Sequence, residues 1–261
     1  MTAPDMSVRT NEGRFYRRPG SQLLVPSITN VIGMKNKPGI PYWGYKQIGM
    51  FVADNLSAIN LLDGDKPAII DLVKGAPHRA TDKSSNRGDL VHDWIAQRIH
   101  SNGESPTFED IAASGDKGAI GMWEAFLRVE ETYKIRWLFA ETTIWSDKYE
   151  YAGTIDWMAE VLGAVTLGDT KTGNNIYPEV AMQVAAAAEA DYAFDDNGNK
   201  FQLPTPERFA ALHLRPTFGR LHPLENIEEA FKAFLGLRAV FQWDTEFAEQ
   251  TVRYSPKIEV R

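Results

Sequence analysis

The chain contains no cysteine in 261 residues. That absence excludes disulfides, thiolate-ligated zinc and a cysteine-held iron–sulfur cluster, and it suits a reducing compartment. Long apolar runs are missing as well. The first thirty residues carry Arg9, Arg14, Arg17 and Arg18 without a sustained hydrophobic stretch, so neither a secretory signal nor a membrane span is expected. The expectation is a soluble, cytoplasmic protein. There is no internal repeat and no low-complexity tract, and a net charge of −7 argues against indiscriminate binding to polyanions.

What is present is ample material for a core: 43% hydrophobic residues and seven tryptophans, enough for one large, elaborated domain. The charge is uneven. Residues 1–50 hold seven Lys/Arg against Asp5 and Glu12, a net of +5, which leaves −12 for the remainder. The basic segment interleaves aromatics, with Phe15 and Tyr16 beside Arg17 and Arg18, then Tyr42, Trp43 and Tyr45 beside Lys46. Stacking surfaces next to cations hold unpaired bases and phosphates, which makes Arg14, Arg17, Arg18, Tyr42, Trp43 and Lys46 candidates for DNA contact. The alternative is a solvated terminus followed by a helix that packs Tyr42, Trp43 and Ile48 on the core.

Pro4, Gly13, Pro19 and Gly20 predict an irregular, flexible basic leader over residues 1–22. Residues 23–261 read as a single domain, mainly helical over 23–135, with a sheet core and a C-terminal helix over 136–261. The stretch Val25 to Ile32 fits a short strand or a capped helix. Helices are expected from about Pro41 to Leu61, from near Asn86 to His100, and from Asp116 to Tyr133. The period then changes. Trp137 to Trp145, Tyr151 to Val161 and Ala164 to Lys171 read as successive strands, the last two joined by the tight Leu162-Gly163 connection. A helix from Pro178 to about Tyr192, a strand from Arg208 to Pro216, a return over Gly219 to Pro223 and a last helix from Ile227 to Trp243 complete the α/β pattern.

The chemistry gathers in the hairpin. Asp156 of Gly153-Thr154-Ile155-Asp156 stands thirteen residues before Asp169 of Asp169-Thr170-Lys171, and Gln183 twelve residues after Lys171. Strand alternation puts Val165, Leu167, Asp169 and Lys171 on one face, so a carboxylate and an ammonium project side by side. Two carboxylates and a lysine on adjacent strands suit metal-dependent phosphodiester chemistry, since carboxylate oxygens bind a hard divalent cation and an ammonium steers or activates water. Glu141, on the strand before, is a lesser candidate near such a metal; a solvent-facing strand residue is the plainer reading. His78, His100, His213 and His222 lack ligand-like spacing and read as structural or surface residues. The acidic turn Asp195-Asp196-Asn197-Gly198-Asn199 is not a calcium loop, because Pro204-Thr205-Pro206 falls where the terminal ligand belongs.

The order of a helix with His92 (Arg87-Gly88-Asp89-Leu90-Val91-His92), strands with Asp156, Asp169 and Lys171, and a helix with Gln183 resembles the RecB-like branch of the PD-(D/E)XK nuclease superfamily over residues 86–192. The resemblance implies a restriction-endonuclease-like fold, a mixed central sheet flanked by helices with a helical N-terminal elaboration. It implies Mg²⁺ or Mn²⁺ held by His92, Asp156, Asp169 and the Thr170 carbonyl, with Lys171 as catalytic lysine and Gln183 as the glutamine of the following helix. One departure is Ala187, where the family usually has a tyrosine. Without cysteines the chain looks like the iron–sulfur-free exonucleases of this branch carried by bacteriophages, and its VPSITNVIG and KPGIPYWGYKQIG segments resemble their opening. The implied activity is DNA hydrolysis from linear single- or double-stranded ends during recombination or repair, in a bacterial or phage-infected cell, with a recombination protein as partner. A structure-specific endonuclease and an inactive DNA-end-binding scaffold are the alternatives.

Overall fold

A computed structural model describes residues 6–37 and 39–252. Where the sequence predicts an irregular leader, β1 (Ser7–Thr10) and β2 (Gly13–Arg17) form an antiparallel hairpin, and β3 (Leu24–Pro26) pairs antiparallel with β2; residues 1–5 of that leader lie outside the described residues. The strands hold because adjacent aromatics point to opposite sides. Phe15 enters the core around Ile28, and Tyr16, 1% exposed, packs with Val25 and Trp145. Its hydroxyl also meets Thr154 Oγ1 at 2.8 Å.

Both readings of residues 25–32 occur in succession. β3 gives way to α1 (Ile28–Ile32), whose start is fixed by Ser27 accepting a hydrogen bond from the Asn30 amide at 3.0 Å. The single helix expected from Pro41 to Leu61 is two: α2 (Gly39–Asp54) and α3 (Leu56–Asn60), interrupted at Asn55, whose side chain turns back to the Phe51 carbonyl at 2.8 Å. α4 (Lys66–Lys74) follows without having been expected, and α5 (Ala76–His100) starts ten residues earlier than its apolar stripe announces. α6 (Phe108–Ala113) is short and closed by a Thr107/Asp110 capping box. α7 (Lys117–Thr132) is capped by Asp116, which accepts from the amides of Gly118 and Ala119 and pairs with Arg87 at 2.9 Å.

β4 (Arg136–Ser146), β5 (Tyr151–Val161) and β6 (Ala164–Lys171) form an antiparallel meander. α8 (Glu179–Ala188) then precedes the short β7 (Tyr192–Phe194) and β8 (Lys200–Phe201). β9 (Arg208–Arg215), β10 (Phe218–Pro223) and α9 (Ile227–Gln242) follow, the last running through a π-helical turn (Trp243–Phe247) into α10 (Ala248–Thr251). Among the described residues the large sheet has seven strands in the order β10-β9-β6-β5-β4-β7-β8, with β6 and β9 parallel and the other pairs antiparallel. The fold is thus mixed α/β, a helical N-terminal region followed by a mixed sheet with helices on both faces.

Each face has its own core. Val91, Trp94, Ile95 and Ile99 of α5 meet Met122 and Phe126 of α7 over Trp157 and Leu212, while α1, α8 and α9 cover Ile144, Met158 and Leu167 on the other side. Among the described residues, no helix is long and apolar enough to cross a membrane.

Candidate metal centre

The turn between β5 and β6 sets the geometry. Leu162 and Gly163 both have left-handed backbones, φ 49° and 81°, as a two-residue hairpin turn with the native strand twist requires. This fixes Val161 opposite Ala164, and the register runs unbroken to Trp157 opposite Gly168. The next residue along each strand is an aspartate, Asp156 on β5 and Asp169 on β6. A slip of one residue would send these side chains to opposite faces of the sheet. Gly168 is obligatory here, because a Cβ would lie 2.0 Å from Cζ2 of the fully buried Trp157.

Asp156 Oδ2 accepts the Thr170 amide at 2.7 Å and lies 3.6 Å from Nδ1 of His92. His92 reaches this point because its neighbours Val91 and Ile95 anchor α5 in the core, leaving the imidazole to turn toward β5. Lys171 Nζ sits 2.5 Å from Asp169 Oδ2 and donates to Gln183 Oε1 at 3.2 Å, joining β6 to α8. Asp169 is only 3% exposed, and its Oδ2 makes ion contact with Lys171 without an aligned hydrogen bond. Burial, and then the charge of Asp156, push its carboxyl well above the usual carboxylate range; Lys171 offsets part of this.

His92, Asp156, Asp169 and Gln183 line a cavity of about 340 Å³ beneath α1, α5 and α8. The residues expected from the sequence converge with two corrections. The first is Lys171, which lines the neighbouring cavity and not this one. Glu141, exposed as the solvent-facing reading has it, borders the cavity close to Asp156, with a left-handed backbone at φ 46° inside β4. Ligand atoms of His92, Glu141 and Asp156 all fall within 4.8 Å of one another, and Asp169 stands outside that group. The cavity walls, and then the charges of Asp156 and Asp93, push the Glu141 carboxyl up to about 8. Asp93 is raised by burial and by Asp89. Asp89, His92 and Asp93 share one face of α5, a spacing of three and four residues that was readable in the sequence and went unused.

The second correction concerns the DNA candidates. Arg18 is engaged internally: it pairs with Asp147 at 2.9 Å, donates to the Tyr192 hydroxyl at 3.1 Å and stacks on Trp145. Arg17 is exposed and lines neither this cavity nor its neighbour, whereas Arg14 borders the first of them, stacked on Tyr16. Tyr42 and Trp43 are 75% and 38% exposed, Lys46 is exposed too, and α2 has no buried residue, so the helix does not pack them on the core. Trp43 instead lines a second cavity of about 860 Å³ with Lys35, Lys37 and Tyr177. That cavity reaches Lys171 and shares Gln183 with the first.

No family model matches the chain, and no curated protein matches it either.

The donor set suits a hard divalent cation: carboxylates with one imidazole are ligands for Mg²⁺ or Mn²⁺. The buried Asp169 Oδ2 is met by the Lys171 ammonium at 2.5 Å, which offsets the cost of burying the carboxylate. The structure shows the Thr170 amide engaged at the site; its hydroxyl is buried without a hydrogen bond.

Proposed function

We propose that the chain is a divalent-metal-dependent deoxyribonuclease that hydrolyses phosphodiester bonds, acting from DNA ends in recombination or repair. The observation that carries this reading is the convergence of His92, Asp156, Asp169 and Gln183, drawn from two helices and two strands, on one cavity, with Lys171 in contact with Asp169 and Gln183. Such a set has no packing rationale, because it sets carboxylates close to one another at the edge of a core.

His92, Asp156, Asp169 and the Thr170 carbonyl are the groups that would hold Mg²⁺ or Mn²⁺. When bound, the cation supplies Lewis acidity, which polarises a phosphate and lowers the pKa of water. Lys171 is the positioning cation. Asp169 and Gln183, which line the cavity, hold its ammonium from two sides, which leaves a donor for the attacking water or a phosphate oxygen. Gln183 thereby orients Lys171 and acts through it. Asp156 accepts the Thr170 amide, which keeps the β5 and β6 carboxylates together as the reacting phosphate arrives.

A polymeric substrate is favoured by the neighbouring cavity, where Trp43 and Tyr177 offer stacking faces and Lys35 and Lys37 offer charge along a path to Lys171. Attack from ends rather than within the chain is taken from the RecB-like resemblance. End-labelled linear DNA and covalently closed circles, incubated side by side with Mg²⁺ or Mn²⁺, test both points. Loss of linear DNA alone is expected; cutting of circles would replace the exonuclease with an endonuclease, and cutting of neither would leave a DNA-binding scaffold.

A further inference from the structure

We propose that the β9–β10 edge of the large sheet is a contact surface for a DNA backbone, on which Arg215 and Arg220 take phosphates beside the one at Lys171. The inference rests on the proposed function for the identity of the polyanion. It goes beyond that reading by adding a binding surface outside the two cavities.

Strand register assembles the surface. Lys171 on β6 pairs with His213 on β9, and His213 pairs with Arg220 on β10, so the three stand in one row across the sheet. In the flanking rows Arg215 pairs with Phe218, and Ala211 pairs with His222. Residues two apart on a strand share a face, so Arg215, Phe218, Arg220 and His222 lie on the side that carries Asp169 and Lys171. Two strand spacings put the Arg220 backbone about 10 Å from that of Lys171.

The positive charge gathered there is not neutralised. Among the described residues Arg215, Arg220, His213 and His222 enter no salt bridge, although residues 51–261 carry a net charge of −12. Arg220 is exposed, and its guanidinium lies 5.9 Å from the ring centre of Phe218, which is itself 43% exposed and met edge-on by His213 at 5.3 Å. Burial, and then His213 and Arg220, lower the pKa of His222, the direction that surplus positive charge imposes. The surface is also tied to the proposed site. Half-buried Arg215 donates to the Thr172 carbonyl at 2.7 Å and His213 Nε2 to the Gly173 carbonyl at 2.8 Å, which fastens β9 to the segment leaving Lys171. A guanidinium meets phosphate oxygens through several N–H groups and keeps its charge at any working pH. An occupant with negative charge at Lys171 and again at Arg220 is a strand backbone.

Fluorescence anisotropy of a labelled single-stranded oligonucleotide bound to the full chain, in EDTA and over a range of salt concentrations, tests this. The slope of log affinity against log salt should fall by about 0.7 in Arg220→Ala and by about 1.4 in the Arg215→Ala/Arg220→Ala pair. Circular dichroism checks that each variant is folded. Lys232→Ala, whose ammonium is already paired with Glu228 and Glu229, should keep the wild-type slope. An unchanged slope in Arg220→Ala overturns the proposal and leaves Arg220 as a charge guarding an edge strand. An equal fall in Lys232→Ala overturns it too, by reducing the effect to net charge. Because EDTA prevents turnover, the two readings fail separately. The expected slopes in a protein that cuts no DNA with Mg²⁺ or Mn²⁺ would refute the nuclease and leave this surface standing, and cleavage with an unchanged Arg220→Ala slope would do the reverse.

Discussion

Gly168 ties the sheet to the site, and replacing it by alanine tests that link. The added Cβ would lie 2.0, 2.2 and 2.5 Å from three atoms of the Trp157 ring. These are more than an ångström inside van der Waals contact, and the ring cannot swing away. Trp157 is fully buried, meets Trp137 edge-on at 5.7 Å, and Trp137 is itself stacked on Phe126 at 5.6 Å. Overpacking of this kind costs about 1–3 kcal/mol. Against it, alanine restricts the unfolded chain more than glycine, worth about 0.4–1 kcal/mol in the opposite direction where strain is absent. The net expectation is a loss of about 2 kcal/mol, or a fall in Tm of about 4–8 °C for a chain of this size. Denaturant unfolding with near-ultraviolet circular dichroism reads both the stability and the Trp157 environment. Because Asp169 is the next residue, weaker Mn²⁺ binding should accompany the loss. A variant as stable as the wild type, with an unchanged aromatic spectrum, would refute the close approach of Gly168 to Trp157.

Other expectations follow from the same geometry. Asp169→Asn should raise stability in EDTA at pH 8 by about 1 kcal/mol, because it removes a buried charge lacking an aligned hydrogen bond and gives up only one contact with the partly exposed Lys171. Since burial raises the Asp169 pKa, its folded form holds a proton that the unfolded form has released. Its contribution to stability is therefore present at acid pH and lost as pH rises through the folded pKa, so thermal melts of variant and wild type should coincide near pH 4 and separate toward pH 8. Asp116→Ala removes the cap of α7 and the partner of Arg87, and should cost about 0.5–2 kcal/mol in chemical denaturation. Arg18→Ala should lower stability while leaving oligonucleotide affinity unchanged, whereas Trp43→Ala should weaken single-stranded oligonucleotide binding by about 1–3 kcal/mol in fluorescence anisotropy. The reverse pattern would return Arg18 to the DNA-contacting set.

The strands that carry the carboxylates were legible because their signals are local. Period-two alternation and the Leu162-Gly163 turn define β5 and β6 to the residue, and the turn fixes the register as far as Trp157 and Gly168, the neighbours of Asp156 and Asp169. His92 and Gln183 were legible as members of an ordered set, and the structure brings both to the cavity. What escaped is non-local. Arg18 looks like a free cation until Asp147 and Tyr192, more than a hundred residues away, close around it. β1 and β2 are short and arginine-rich, and they are held by aromatic contacts with Ile28 and Trp145 that no window of sequence reveals. The first ten residues of α5 lack an apolar stripe, so periodicity reports only the part of the helix that reaches the core. Glu141 is exposed, as a solvated strand residue would be; its left-handed backbone and place beside the cavity leave no mark in composition.

The central claim is that this cavity hydrolyses phosphodiester bonds with a divalent metal. The most direct measurement is turnover of end-labelled linear DNA with Mn²⁺ or EDTA, comparing wild type with Lys171→Ala and with Asp156→Ala, alongside Mn²⁺ binding to each protein. The account expects cleavage only with metal, loss of cleavage in both variants, and Mn²⁺ binding retained by Lys171→Ala but weakened in Asp156→Ala. Cleavage at wild-type rate by either variant, or a wild-type protein that binds Mn²⁺ and DNA yet cuts nothing, would contradict it.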